Sequence, residues 1–249
     1  MSHDLILLFL LVALVFFAAG AVKGVLGMGL PTVAMGLLGL MMPVSAAAAV
    51  LTLPSFVTNA WQAWAGPGLR RTVRRLWALQ LGIAGGTVAA AGLLPATSDA
   101  LGRNLLGACL MAYGAVGLKG WRVPSVPGTL EQVAGLVAGL LTGVLTGLTG
   151  VFVLPAVPFI QSLGLPKDEL TQALGVCFTT STLTLAASLA ANGHLDAQAS
   201  LASAAMVIPA LAGMWAGQIV RNVLGEAQFR CCLFAGLLLL GSWLLLGRG

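Results

Sequence analysis

The sequence predicts an all-α integral membrane protein with about eight to ten membrane helices, and three observations support this class. The mean hydropathy of the 249-residue chain is +1.00, and 59% of its residues are hydrophobic. Only 8% are charged, whereas soluble domains carry about 25%, so the chain cannot cover a water-facing surface. Long apolar runs, separated by short basic or Gly/Pro-containing breaks, recur along the whole sequence, as in multi-pass membrane proteins.

Ten apolar segments are predicted, since a helix needs about 20 apolar residues to cross the hydrocarbon core. Two boundaries are weak, near Gly24 and Gly147, where a helix meets a shorter segment interrupted by glycine and proline. Merging the neighbours at these two boundaries gives eight segments, so whether 25–42 and 149–163 fully cross the membrane is left open by the sequence. The segments cover approximately 5–22, 25–42, 44–65, 76–94, 101–119, 132–148, 149–163, 167–191, 199–220 and 229–246.

The basic residues favour ten crossings. With ten, all but two of the 12 Lys and Arg residues lie on one side of the membrane. If 25–42 and 149–163 instead return to the side they left, the division becomes nearly even. Because cytoplasmic loops are rich in Lys and Arg, we expect a multi-pass protein of the inner (plasma) membrane with both termini outside the cytoplasm.

Composition and spacing also exclude several classes of protein. The net charge of +5 does not indicate nucleic-acid binding, because the basic residues lie between apolar runs and not on one folded face. An enzyme is not expected, since His3 and His194 lie beside predicted loops at opposite ends and Ser181 has no nearby base. The four cysteines lack metal-ligand spacing, and we expect neither a metal nor a cofactor.

An internal repeat is visible at an almost constant offset. A shift of 123 positions aligns Gly20, Gly24, Gly27 and Pro43 with Gly143, Gly147, Gly150 and Pro166. A shift of 127 aligns Gly86, Ala100, Arg103 and Gly114 with Gly213, Ala227, Arg230 and Gly241. We predict two five-segment repeats, 1–122 and 131–249, joined by a cytoplasmic linker, 123–130. An odd number of segments inverts the second repeat, as in many secondary transporters.

The Gly/Pro-broken segments, 23–32 and 142–155, are predicted at the centre of this arrangement. Glycine permits unwound backbone, and a helix start presents free N–H groups that favour an anion. The alternative for glycines spaced four apart is close helix packing. Lys23 is the single charge near this pocket, and its alternative is an ammonium extended to the membrane interface.

Polar side chains within predicted spans form two further clusters, around Asn59 and around Thr180. Polar groups at membrane depth usually face the protein interior, although Ser and Thr often bond only to their own helix. The shift of 123 brings Asn59 onto Thr182 in the second cluster. The predicted substrate-binding residues are Lys23, Gly27, Met28, Gly29, Asn59, Gln62, Thr146, Gly147, Thr149, Gly150, Thr180 and Ser181.

Several motifs carry a resemblance to a known family. They are the Gly-rich opening 24–31, Pro43-Val44-Ser45-Ala46, the Arg-rich turn 70–75, and in the second half 147–155, Leu165-Pro166, Ala173-Leu174-Gly175 and Thr180-Ser181. Together they resemble the sulfite exporter TauE/SafE family of membrane proteins over essentially the whole chain. The resemblance implies export of small sulfur-containing anions such as sulfite, sulfoacetate or related organosulfonates. Phe152 and Val153 depart from it, since they stand where small residues are expected.

The resulting hypothesis is electrogenic, facilitated export of an anion by rocking of the two repeats about one central site. Every Asp and Glu lies in or beside a gap between predicted spans, with Asp168 and Glu169 at the very start of one, and an inside-negative potential drives anions outward without a proton relay. The alternatives are a transporter of another small anion, a metal-ion transporter and a membrane scaffold or assembly protein. The expected partners are the small anion and the lipid bilayer, and a homodimer stays open.

Overall fold

The computed structural model describes residues 3–91, 99–120, 124–221 and 226–247. Within these ranges the chain forms helices joined by short turns, with no strand. The helices are α1 (His3–Leu26), α2 (Leu30–Leu38), α3 (Val44–Trp64), α4 (Leu69–Arg75), α5 (Trp77–Ala91), α6 (Asp99–Lys119), α7 (Glu131–Thr149), α8 (Ala156–Ser162), α9 (Lys167–Ala191), α10 (Ala197–Ala205), α11 (Val207–Arg221) and α12 (Glu226–Leu246).

Seven helical stretches of the described chain are long and apolar enough to cross a membrane. They lie in α1, α3, α6, α7, α9 and α12 and in the combined α10–α11 stretch. The shorter α5 contains a further apolar helix, Trp77–Ala90. The prediction of an all-helical protein with many membrane helices is therefore confirmed.

Apart from the last residues of α1 and α7, the helices in the two weak segments, 25–42 and 149–163, are the short α2 and α8. Nine and seven residues rise about 14 and 11 Å, whereas the hydrocarbon core is about 30 Å thick, so neither helix crosses the core by itself. The break before α2 lies where glycine and proline predict it. Gly29 adopts a φ of 106°, which favours glycine, and Pro31 occupies the first turn of α2.

Glycines allow two pairs of helices to pack backbone against backbone. α1 lies along α11, where Cβ atoms at Gly20 and Gly24 would overlap the carbonyl oxygens of Ala210 and Met214. α7 lies along α5 in the same way, and a Cβ at Gly143 would overlap the backbone of α5. Small residues are enriched at membrane helix contacts because they permit this approach. The packing interpretation therefore holds for these three glycines.

Two other pairs of helices pack antiparallel. Ser55 near the middle of α3 contacts Thr182 of α9, while Gln62 near the end of α3 contacts Thr171 near the start of α9. α6 and α12 pack in the same sense through Gly107 with Gly241 and through Gly114 with Phe234. The ends of α1 and α3 thus meet the start of α9, and this end of the bundle also carries the arginine-rich α4. We call it the basic end.

Candidate functional site

A cavity of about 470 Å³ opens among α1, α3, α9 and α11 near the basic end. Its walls combine glycine backbone, amide and hydroxyl side chains and three charged residues. The lining residues are Lys23, Gly24, Gly27, Thr58, Trp61, Gln62, Ala65, Gly66, Pro67, Asp168, Thr171, Gln172, Met214, Gln218 and Arg221. The volume suits a small ligand, because small-molecule pockets begin at about 300 Å³.

Lys23 lies on the last turn of α1, yet its side chain is directed into the protein. The residue is 2% exposed. Its Nζ donates to Thr58 Oγ1 at 3.1 Å and to the amide oxygen of Asn59. The alternative of a side chain extended to the membrane interface is therefore wrong, and Lys23 is a buried lysine that also lines the cavity.

Polar side chains connect this lysine to α9 through the interior of the bundle. Asn59 accepts from Lys23 and donates its Nδ2 to Ser55 Oγ at 3.0 Å. The Ser55 hydroxyl is in turn 3.1 Å from Thr182 Oγ1. The chain of contacts runs from the cavity to α9, and all four residues are buried. It joins Asn59 and Thr182, the two positions that the offset of 123 aligns.

Gln62 fixes the broken backbone that follows α1. Its Nε2 donates to the carbonyl oxygen of Gly27 at 2.9 Å and to that of Thr171 at 2.8 Å. Gly27 has a φ of 74°, a conformation that glycine adopts without strain. One amide therefore ties the end of α1 to the start of α9 at the rim of the cavity.

Gln172 holds the opposite rim. Its Nε2 donates to the carbonyl oxygen of Ala63 at 2.8 Å, and its Oε1 accepts from the Gly68 backbone N–H at 2.9 Å and from the Thr72 hydroxyl at 3.3 Å. The residue is fully buried. It thereby sets the turn between α3 and the arginine-rich α4.

An ion pair links the two halves of the chain at the same basic end. Arg75 donates its Nε to one carboxylate oxygen of Glu131 at 2.7 Å and its Nη2 to the other at 2.9 Å. The hydrogen bond to Glu131 raises the pKa of Arg75 above its ordinary value. The adjacent Gln132 donates to the Arg75 carbonyl oxygen at 3.1 Å, so the end of α4 is anchored to the start of α7.

The family model described as Sulfite exporter TauE/SafE matches residues 12–244. The chain belongs to the sulfite exporter TauE/SafE family. Comparisons with curated proteins and with solved structures found no match. Membership implies membrane transport of sulfur anions such as sulfite and makes the chain a multi-pass membrane protein of a transporter family, not of an enzyme family. The resemblance read from the motifs is confirmed.

Three of the residues predicted to bind substrate line the cavity of this TauE/SafE member: Lys23, Gly27 and Gln62. Asn59 does not line the cavity, but its amide oxygen accepts a hydrogen bond from Lys23 Nζ. The neighbouring Met28 is directed elsewhere, because its sulfur accepts from the Tyr113 hydroxyl at 3.5 Å.

The other predicted residues lie outside this cavity, and three of their hydroxyl groups bond to their own helix. Thr146 and Thr149 donate to carbonyl oxygens four residues earlier, each at 2.7 Å, as the alternative reading expects. Ser181 does the same at 3.1 Å. The residues that do not line the cavity are Met28, Gly29, Asn59, Thr146, Gly147, Thr149, Gly150, Thr180 and Ser181.

The two Gly-broken segments also do not meet at one pocket in this structure. Gly27 lies beside Gln62 at the end of α3, whereas Gly150 lies against Ala48 at the start of α3 and against Met35 of α2. From Ala48 to Gln62 a helix rises about 21 Å. The two breaks therefore occupy different depths in the bundle.

Sequence reasoning missed Thr58, Ser55 and Gln172. A signal for the first two was present, because Ser55, Thr58, Asn59 and Gln62 are spaced three and four apart and so share one face of a helix. Gln172 offered no such signal, since its partners lie between the end of α3 and the middle of α4, about a hundred residues earlier.

Proposed function

We propose that the chain is a secondary transporter that exports small sulfur-containing anions, such as sulfite, sulfoacetate or related organosulfonates, by alternating access. The buried ammonium of Lys23 at the cavity carries this proposal. Its partners Thr58 and Asn59 are neutral, so neither compensates a positive charge. A cation at membrane depth with neutral partners marks a site for an anion or a transport path.

An inverted repeat is supported by contacts that recur after exchange of the two halves. A Cβ at Gly213 would overlap the carbonyl oxygen of Phe17, and one at Gly86 would overlap that of Leu140. These two pairs are related by the offsets of 127 and 123. The counterpart helices α6 and α12 pack antiparallel through Gly107 and Gly241, as expected when one repeat is inverted relative to the other.

Hydrogen bonds between α1 and α3 support a return of the chain across the bundle between these two helices. Lys23 meets Asn59 and Gly27 meets Gln62, so α1 and α3 run in the same direction with their ends side by side. From Val44 to Gln62 α3 rises about 27 Å. Residues 28–43 must carry the chain back over that length, partly as α2, which favours five segments in each repeat.

The direction of transport follows from the membrane potential. The basic end carries the cavity and the arginines of α4, and it corresponds to the cytoplasmic side under the positive-inside rule. An anion entering there is driven outward by about 2.3 kcal/mol per charge per 100 mV. Export then needs no carboxylate for proton coupling.

Anion flux from proteoliposomes tests the proposal. Vesicles loaded with sulfite or sulfoacetate should release the anion, and an imposed inside-negative potential should accelerate release by wild type but not by empty vesicles. A rate of anion release that does not change with the imposed potential would refute electrogenic transport. Absence of flux for every sulfur anion, together with flux of another small anion, would favour the second candidate substrate class.

A scaffold or assembly role predicts a different result. Only a protein with a ligand site is stabilised by a small anion, because binding to the folded state shifts the unfolding equilibrium. A sulfite- or sulfonate-dependent rise in melting temperature of the detergent-purified protein supports transport. The absence of both a thermal shift and flux would support the scaffold.

A further inference from the structure

We infer that a second cavity, between α5, α7 and α9, opens toward the end of the bundle opposite the basic end when the described cavity closes. This inference rests on the proposed transport by alternating access and names residues for its outward-facing state. The ligand would be the same small oxyanion, held there by hydroxyl and backbone N–H groups without a cation.

Positions in the second cavity follow from the offsets that relate the two halves. The cavity residues Lys23, Thr58 and Met214 correspond to Thr146, Ser181 and Thr87. The last position is anchored by an observed correspondence: a Cβ at Gly20 would meet the Met214 backbone, and a Cβ at Gly143 would meet the Thr87 backbone. The counterparts therefore occupy matching places on α7, α9 and α5.

One pair of counterparts shows that one side is open while the other is closed. Gly27 and Gly150 have almost the same conformation, with φ of 74° and 69°. A Cβ on Gly27 would meet nothing within 4 Å, whereas one on Gly150 would meet Met35 at 2.9 Å and Ala48 at 3.4 Å. The same backbone feature thus faces space in one half and packed side chains in the other.

Helix packing shows the same difference. α10 packs on α3, but the following α11 touches α3 at few points, and the described cavity occupies the space between α11 and α3, bounded by Met214, Gln218, Thr58 and Gln62. Its counterpart α5 packs closely along α9. Exchange of the two arrangements would close the gap beside α11 and open one beside α5, which is the rocking expected of inverted repeats.

Thr87 provides an independent observation in the closed half. It is fully buried, and within the described chain its hydroxyl has no hydrogen-bond partner. A buried polar group without a partner is unfavourable. Because its counterpart Met214 lines the described cavity, opening the second cavity would expose the Thr87 hydroxyl to water or to the anion.

The two cavities differ in charge. Lys23 of the first corresponds to Thr146 of the second, and Thr58 corresponds to Ser181, so hydroxyl groups replace the ammonium. Neutral hydrogen bonds to an anion are weaker than charge-assisted ones. We therefore expect weaker binding of the anion from the outer side than from the basic end.

Thiol accessibility in intact cells tests the second cavity. Thr87→Cys in the full chain is treated from outside with a charged, membrane-impermeant maleimide, and modification at residue 87 is read by mass spectrometry of its peptide, so the native cysteines do not interfere. Val88→Cys is the matched control, since Val88 is 65% exposed on the outside of the bundle. We expect residue 87 to react at least about ten-fold faster, as an aqueous opening of appreciable population requires. Equal reactivity at the two positions would overturn the inference.

A second substitution tests the exchange between cavities. Ala65 lines the described cavity, and Ala65→Trp should hinder its closure and lower outside labelling of Thr87→Cys by about ten-fold. Labelling unchanged by Ala65→Trp would also overturn the inference. If Thr87→Cys does not accumulate, Ser181→Cys replaces it under the same criteria. The labelling needs no substrate, so a failure of sulfur-anion flux with intact labelling would refute only the proposed substrate.

Discussion

Ser203 of α10 donates its hydroxyl to the carbonyl oxygen of Val50 in α3 at 2.7 Å. Val50 would bond the backbone N–H four residues on, but that residue is Pro54, which has none. The Ser203 oxygen also accepts from the Leu53 N–H at 3.0 Å. The Ser203 side chain therefore replaces the backbone hydrogen bond that Pro54 removes from α3, at the place where the α10–α11 stretch meets α3.

Removal of this hydroxyl should destabilise the protein. Ser203→Ala leaves the Val50 carbonyl without its donor, and we expect a loss of about 1–3 kcal/mol in the free energy of unfolding, measured by denaturation in detergent. Pro54→Ala restores the missing N–H, so the same serine substitution should cost clearly less in that background. An equal loss of unfolding free energy in both backgrounds would contradict a replacement of the missing hydrogen bond by Ser203.

Glycine substitutions should separate helix contacts from open positions. Gly20→Ala places a methyl group on the Ala210 backbone and Gly143→Ala places one on the Ile83 backbone. Overpacking of this kind costs about 1–3 kcal/mol, so both variants should melt at lower temperature than wild type. Gly236→Ala is the control within α12, because its methyl group would meet nothing within 4 Å. Similar melting temperatures for all three variants would refute the close backbone packing.

The ion pair between Arg75 and Glu131 should contribute modestly. Their side chains are 37% and 12% exposed, and water and salt screen pairs of this kind. In a double-mutant cycle of Arg75→Gln and Glu131→Gln, we expect a coupling of about 1 kcal/mol at low salt. The coupling should fall in 1 M salt, and Arg74→Gln, at an exposed position, should show none with Glu131→Gln. A coupling unchanged by salt would indicate that shape, not charge, joins α4 to α7.

The membrane class and the backbone contacts could be predicted from sequence because they depend on composition and on spacing within one helix. Glycines four apart give the tight packing of α1 on α11, and the offsets of 123 and 127 locate matching contacts such as Gly20 on Met214 and Gly143 on Thr87. Hydropathy similarly places the long helices, since each covers a continuous apolar run.

Which of the aligned residues line an open cavity could not be predicted in the same way. Gly27 and Gly150 occupy aligned positions and have similar φ angles, and only the packing of α2 and α3 leaves one open and the other covered. The inward direction of Lys23 depends on Asn59, a partner on another helix. Likewise, Pro54 predicts a carbonyl oxygen without its donor, but not that Ser203 supplies one.

Substitution of Lys23 should separate transport from stability. Lys23→Gln keeps a polar group of similar reach that can donate to Thr58 or Asn59, but it removes the positive charge that attracts an anion. We expect potential-driven efflux of sulfite or sulfoacetate to fall at least about ten-fold, the equivalent of about 1.4 kcal/mol of lost interaction.

The free energy of unfolding should change in the opposite sense. A buried ammonium with neutral partners costs several kcal/mol of desolvation, so Lys23→Gln should keep or gain stability, by up to about 3 kcal/mol. Lys119→Gln, at the exposed end of α6, is the matched control and should leave both efflux and unfolding unchanged. A lysine that only supports the fold would give the reverse result for Lys23→Gln, with lower stability and normal efflux of the molecules that remain folded. Reduced efflux without loss of stability instead indicates that the positive charge of Lys23 serves to bind the anion.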